Sequence, residues 1–249
     1  MSTLLKAVTF DLWQTLILDT PEGLRRARSE RIRGVQEVLA AQGLSVQMGA
    51  VEAAYDAVGG KLEGLWTTQR DVGSRGQVGM LLGVLGLERQ VPPEGSVMDA
   101  LDEAYCLPIL AALPVANAGA RELLMTLRGR GVHLALICNT GRTPGKMLRL
   151  VLERLGISPL LSVLTFSDEV GWRKPHPEIF ARTLANLGVT PGEAAHIGDD
   201  VTTDVAGARG IGMRAVHLCH STGASNHSDG APLIARLADL PGVLFGVDS

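Results

Sequence analysis

Four stretches of this 249-residue chain carry side chains whose types and spacing could do chemistry. In Val8-Thr9-Phe10-Asp11-Leu12-Trp13-Gln14-Thr15-Leu16 an acid follows a short apolar run. A carboxylate there can attack phosphorus and form an aspartyl-phosphate that water later cleaves. It can equally do no more than cap a turn. A second apolar run, Val132 to Cys138, ends in small polar residues, Cys138-Asn139-Thr140. In Arg173-Lys174-Pro175-His176-Pro177 the proline disfavours a helical backbone at Lys174, so its amine can point back towards strand ends. The fourth stretch, His196 to Gly207, holds Asp199, Asp200 and Asp204. Acids this close repel one another without a cation, and magnesium binds through carboxylates, its own waters and a substrate phosphate. The alternative is that they only cap the helix that follows.

The elements that would position these groups follow from hydrophobic spacing. Leu4 to Phe10 is short and apolar enough for a buried strand ending at Asp11. Thr20-Pro21 caps a helix to Gln42, stopped by Gly43. Its Arg25, Arg26, Arg28, Glu30, Arg31 and Arg33 form a solvated, ion-paired face, or some of the arginines turn to a substrate. Residues 46–113 stay helical, with apolar sets such as Val51, Ala54, Tyr55, Val58 and Leu62. From residue 116 helices and strands alternate: strands Val132–Cys138, Val163–Phe166, Ala194–Ile197 and Met213–Leu218, and helices Gly119–Arg130, Thr143–Leu155, Pro177–Leu187 and Val201–Arg209. That alternation predicts a parallel sheet with right-handed crossovers. Ser221–Gly230 reads as a loop, Ala231–Ala238 as a helix, and Val243–Val247 as a short apolar end.

Composition narrows the classes. A hydrophobic fraction of 46% allows a substantial core, and a net charge of −3 gives no electrostatic reason to expect nucleic acid or an anionic membrane as partner. The nineteen arginines against four lysines are spread along the chain rather than gathered into a patch. Cys106, Cys138 and Cys219 are few, distant and odd in number, which fits a reducing, cytoplasmic setting. No signal peptide and no apolar run of about 20 residues is visible. His217-Leu218-Cys219-His220 lacks a second pair for zinc and reads as a strand end, and His133 and His196 read as strand residues satisfied by packing or backbone.

In order and spacing the four stretches resemble the motifs of the haloacid dehalogenase-like hydrolases, and the resemblance covers the whole chain. It implies an α/β fold: a Rossmann-like parallel sheet core with helices on both faces, residues 1–17 and 114–249, and an inserted helical cap domain, residues 18–113. It also implies Asp11 as nucleophile and Lys174 as the charge-balancing lysine. Cys138, Asn139, Thr140 and Trp13 would face the phosphoryl group or substrate. Mg2+ would be held by Asp11, Asp199, Asp204 and the main-chain carbonyl of Trp13. Two positions depart from the family's pattern. Trp13 stands where the phosphatases carry a second, acid/base Asp, and an indole cannot take that role. Cys138 stands where they carry a Ser or Thr, with Thr140 the nearest hydroxyl.

The expected function is a magnesium-dependent phosphatase for a small phosphorylated metabolite, monomeric or homodimeric. Because of Trp13, two alternatives stay open. One is carbon–halogen or carbon–phosphorus cleavage, the latter needing a Schiff base on Lys61. The other is a catalytically weak protein that binds a phosphorylated ligand.

Overall fold

The computed structural model describes residues 4–219 and 230–246. Its elements are, in order, β1 (Ala7–Phe10), β2 (Ile17–Leu18), α1 (Pro21–Ala41), α2 (Met48–Trp66), α3 (Ser74–Leu85), α4 (Ser96–Cys106), α5 (Pro108–Ala111), β3 (Val115–Ala116), α6 (Ala120–Gly129) and β4 (His133–Cys138). There follow α7 (Gly145–Arg154), β5 (Val163–Phe166), α8 (Ser167–Val170), α9 (Pro177–Leu187), β6 (Ala194–Gly198), a π-type helix (Val201–Ala206), α10 (Gly207–Gly210), β7 (Arg214–Leu218), β8 (Leu233–Ile234) and α11 (Leu240–Phe245).

Six strands form one parallel sheet in the order β5-β4-β1-β6-β7-β8. β1 is buried along its whole length and lies between β4 and β6, with Phe10 opposite Leu136 on one side and Ile197 on the other. The chain fills the sheet outward from β1 in both directions. The carboxyl end of β1 is therefore the switch point where open α/β sheets bind ligands. Alternate residues feed two faces: Val8, Phe10, Leu134 and Leu136 join one hydrophobic cluster with α6 and α7, while Ala7 and Ile137 join another with α9 and α10. This is the α/β architecture expected.

Helices α1–α4 pack round a third cluster, including Val35, Leu39, Val58, Leu62, Leu82, Leu101 and Tyr105, that shares no residue with the sheet's two. Thr20 caps α1 by accepting Gly23 N–H at 3.0 Å, with Pro21 at the first helical position. The chain leaves and re-enters the sheet region side by side. β2 and β3 pair antiparallel, Ile17 opposite Ala116 and Leu18 opposite Val115. Strands this short leave no periodicity in the sequence to read.

One expectation fails, and one helix differs in kind. Ala231–Ala238 is not a helix: Leu233–Ile234 is β8, and Leu237–Asp239 is a turn of 3₁₀ helix. The sheet edge wins because His217 N–H reaches Pro232 O and Cys219 N–H reaches Ile234 O, each at 2.9 Å, while Ile234 is buried. Val243 and Leu244 lie in α11. The Val201–Arg209 helix opens as a π-type turn rather than an α-helix, which the geometry of Asp204 explains below. The predicted loop at 221–229, with His220 and Val247, lies outside the described residues. Among the described residues no helix is long and apolar enough to cross a membrane.

Candidate active site

Asp11 leaves the end of β1, where its N–H is held by Ile197 O at 2.8 Å. Lys174 enters from the loop before α9, and its Nζ lies 2.5 Å from Asp11 Oδ1 and 2.6 Å from Asp204 Oδ1. The lysine is 2% exposed. Burial works against its charge, but the two carboxylates raise its pKa well above the ordinary value. Its aim is set by Asn139: Oδ1 accepts Lys174 N–H at 2.7 Å, and Nδ2 donates to Lys174 O at 3.0 Å.

Asp204 is held on every side. Its Oδ1 also meets His196 Nε2 at 3.1 Å, and Oδ2 accepts Asp200 N–H at 3.1 Å. A carboxylate only accepts, so His196 Nε2 carries the proton and Nδ1 takes the Thr9 hydroxyl at 2.8 Å. Burial opposes ionisation of Asp204, but Lys174 and His196 outweigh it and hold the carboxyl well below the usual range. The carboxylate also lies against the backbone of Gly198, where an added Cβ would sit 2.2 Å from it. The wide first turn of the π-type helix accommodates this inward-facing Asp204.

Asp11, Asp199 and Asp204 can each offer an oxygen with all three oxygens inside 4.8 Å of one another. Burial, then Asp204, raises the Asp199 carboxyl to about 6. Burial also raises Asp11, to about 7, with Lys174 pulling the other way and Asp204 adding to the rise. One lysine therefore does not satisfy the negative charge, and an all-oxygen donor set of this kind suits a hard divalent cation. Asp200 stands apart: it is exposed, and its Oδ1 caps the helix by accepting Thr202 and Thr203 N–H at 2.8 and 2.7 Å.

A cavity of about 420 Å³ opens between the sheet's end and α1–α2. Asp11, Lys174, Asp199 and Asp204 are not in its wall, which reaches them through Trp13, two residues after Asp11, and Asn139, bonded to Lys174, and also includes Thr140 and Arg173. A buried polar latch closes one flank. Asp71, from the link between α2 and α3, accepts Arg173 Nη1 at 2.6 Å, Thr140 Oγ1 at 3.1 Å and the Ser167 hydroxyl on Oδ2, and Trp66 Nε1 at 3.1 Å on Oδ1.

A family model described as haloacid dehalogenase-like hydrolase matches residues 5–212. The chain belongs to the haloacid dehalogenase-like hydrolases. It is 33% identical over 133 residues to a ribulose-1,5-bisphosphate 5-phosphatase of Halopiger xanaduensis, a match covering 53% of each chain. It is 30% identical over 218 residues to the mouse haloacid dehalogenase-like hydrolase domain-containing protein 3, covering 84% of this chain and 80% of that one. The fold superposes with a TM-score of 0.67 on a 2-haloacid dehalogenase from Pseudomonas syringae pv. Tomato, 23% identical, covering 97% and 98% of the two chains. Against the first of these relatives the matched segment spans about half of the relative's length.

Several predicted residues of this haloacid dehalogenase-like chain sit where the motifs put them, and others do not. Asp11, Lys174, Asp199 and Asp204 converge. Trp13 is half-buried and lines the cavity. Asn139, expected to face a phosphoryl group, spends its side chain on the backbone of Lys174. Thr140 spends its hydroxyl on Asp71 and Ser167. Cys138 is buried in the sheet's hydrophobic cluster, and burial and Asp11 push its thiol well up. Lys61 is exposed on α2 and is not part of the cavity wall. His196 is satisfied by the side chains of Thr9 and Asp204, with Phe180 packed edge-on against its ring. His217 sits in β7 and donates from Nε2 to Asp199 O at 3.0 Å. Asp71 and Ser167 gave no sign in the sequence, because Asp71 meets Thr140, Ser167 and Arg173 across 69 to 102 residues of chain.

Proposed function

We propose that the protein is a magnesium-dependent phosphatase of small phosphorylated molecules, acting through an aspartyl-phosphate on Asp11. The observation that carries this reading is the buried Lys174–Asp11 contact at the switch point of the sheet, next to a cluster of three acids. The relative bearing a phosphatase name supports a phosphate ester as substrate.

Lys174 engages Oδ1 of Asp11, which leaves Oδ2 to attack phosphorus. The Asp11–phosphorus bond forms as the ester oxygen departs, and water then cleaves the acyl phosphate. Asp11, Asp199, Asp204 and the Trp13 carbonyl would hold magnesium, which when bound supplies positive charge for the phosphoryl oxygens. Lys174 keeps an ammonium beside the nucleophile, and Asn139 keeps that ammonium in place. Helices α1–α4 act as a cap that limits water and selects the substrate. Position 13 supplies no proton to the leaving oxygen, so substrates with stable leaving groups are favoured.

Carbon–halogen cleavage is the second reading. Trp13 favours it, since a halide leaves without a proton, whereas the acid cluster counts against it. The exposed position of Lys61 counts against phosphonate cleavage through a Schiff base.

The test is hydrolysis of an aryl phosphate and a panel of metabolite phosphates, with and without magnesium, beside Asp11→Asn. Magnesium-dependent turnover that vanishes in Asp11→Asn is the expected result. Absence of turnover with every phosphate overturns the reading.

A further inference from the structure

The wall of the cavity contains four arginines, Arg28, Arg31, Arg142 and Arg173, and one acid, Asp19. Two of the arginines are neutralised. Arg28 reaches Glu52 at 2.8 Å and Asp56 at 2.8 Å, and Arg173 reaches Asp71 at 2.6 Å. The other two meet no carboxylate among the described residues. Arg31 gives Nε to Tyr105 O at 2.9 Å and Nη2 to Thr143 Oγ1 at 2.7 Å. Arg142 gives Nη1 to the Tyr105 hydroxyl at 2.8 Å and Nη2 to Tyr55 O at 2.8 Å. Among the described residues no ion pair joins Asp19 to an arginine, and burial raises its carboxyl.

Both guanidinium groups are fixed in place. Tyr105 carries each of them, one on its main-chain oxygen and one on its phenol, and its hydroxyl in turn donates to Gln77 Oε1 at 2.9 Å. Arg142 lies over the Tyr55 ring at 4.2 Å, and Gly59 leaves it room: a Cβ there would stand 3.0 Å from its Nη2. Arg31 is 5% exposed. A guanidinium has five N–H donors, and each of these spends two on neutral acceptors. Buried charges in proteins are ordinarily paired, because an unpaired one is costly. Here two positive groups, Arg31 buried and Arg142 half-buried, are held by neutral partners, and both residues line the cavity. That is a pre-organised anion site.

We propose that Arg31 and Arg142 form a subsite for a second anionic group of the substrate, so that the preferred substrate is a phosphate ester that also carries a carboxylate or a second phosphate. This rests on the phosphatase reading and adds the substrate class to it.

Three ligands isolate the effect: propyl phosphate, its analogue with a terminal carboxylate, and its analogue with a terminal second phosphate. Binding is measured by calorimetry in magnesium buffer on Asp11→Asn, and kcat/KM on the protein with Asp11 intact. One of the two doubly anionic ligands should bind about 10- to 100-fold tighter than propyl phosphate, and the tighter of the two names the group. Adding Arg142→Gln, or separately Arg31→Met, should bring that ratio to within about twofold of one. Two variants on different elements guard against a single misfolded protein. A ratio already near one before either change, or unmoved by both, overturns the subsite. A strong binding preference with no turnover of any ligand would sink the phosphatase reading and leave the subsite standing.

Discussion

The Asn139 carboxamide brackets the main chain of Lys174, accepting its N–H at 2.7 Å and donating to its carbonyl at 3.0 Å. An amide does both at once from separate atoms, its oxygen accepting and its nitrogen donating. Asn139→Ala should therefore act through Lys174. We expect kcat to fall about 10- to 100-fold and stability to fall by about 1–3 kcal/mol, the cost of leaving buried polar groups unpaired. Steady-state kinetics beside denaturant unfolding checks this. Lost stability with unchanged kcat would show that Lys174 holds its position without Asn139.

The latch at Asp71 gives a second expectation. Its carboxylate is fully buried and binds Arg173, itself 12% exposed. Removing either partner leaves the other buried charge uncompensated, which typically costs about 3–5 kcal/mol. Asp71→Ala and Arg173→Met should each approach that range. The double variant should cost less than the sum by about 1–3 kcal/mol. A double-mutant cycle from urea melts measures the difference, and strict additivity would exclude the pairing.

Stability of the metal-free protein should depend on pH in a defined direction. Asp11 and Asp199 are raised to about 7 and about 6, so the folded chain holds protons that the unfolded chain has released. Their contribution is complete below the unfolded carboxylate range near 4 and is lost as pH rises through about 6 to 7. Asp204 runs oppositely: its carboxyl is depressed, so its contribution is present above that range and is lost on acidification. Tm without magnesium should decline from about pH 5 to about pH 8. Magnesium needs the deprotonated acids, so it should stabilise strongly at pH 8 and little at pH 5. A magnesium-induced Tm shift of equal size at both pH values would count against the acid cluster as the metal site.

Trp13 should reveal itself through the leaving group. Without an acid at position 13, turnover should fall steeply from aryl to alkyl phosphates. Trp13→Asp should raise alkyl phosphate turnover by up to about 10²-fold and change the aryl rate much less, because general acid catalysis matters most for poor leaving groups. A series of phosphates graded by leaving-group pKa provides the slope. An unchanged slope in the variant would show that the proton comes from elsewhere.

What the sequence made legible was chemistry placed at strand ends. Asp11, Lys174, Asp199 and Asp204 could be found because a strand, a proline or an acidic turn fixes where each must point. Asn139 was seen, but its bond to Lys174 was not, since nothing local shows a partner 35 residues away. Asp71, Ser167, Thr9 and the uncompensated state of Arg31 and Arg142 depend on which side chains meet in space. β2, β3 and β8 are two residues each, too short for any hydrophobic period to develop.

The cluster under α1–α4 contains no residue of the two that hold the sheet together. Tyr105, which carries both unpaired arginines, belongs to that separate cluster. Substitutions that repack those helices can thus move the arginines without disturbing Asp11 or Lys174. On the proposed function, which molecule is accepted and what is done to it are built on separately packed parts of the chain.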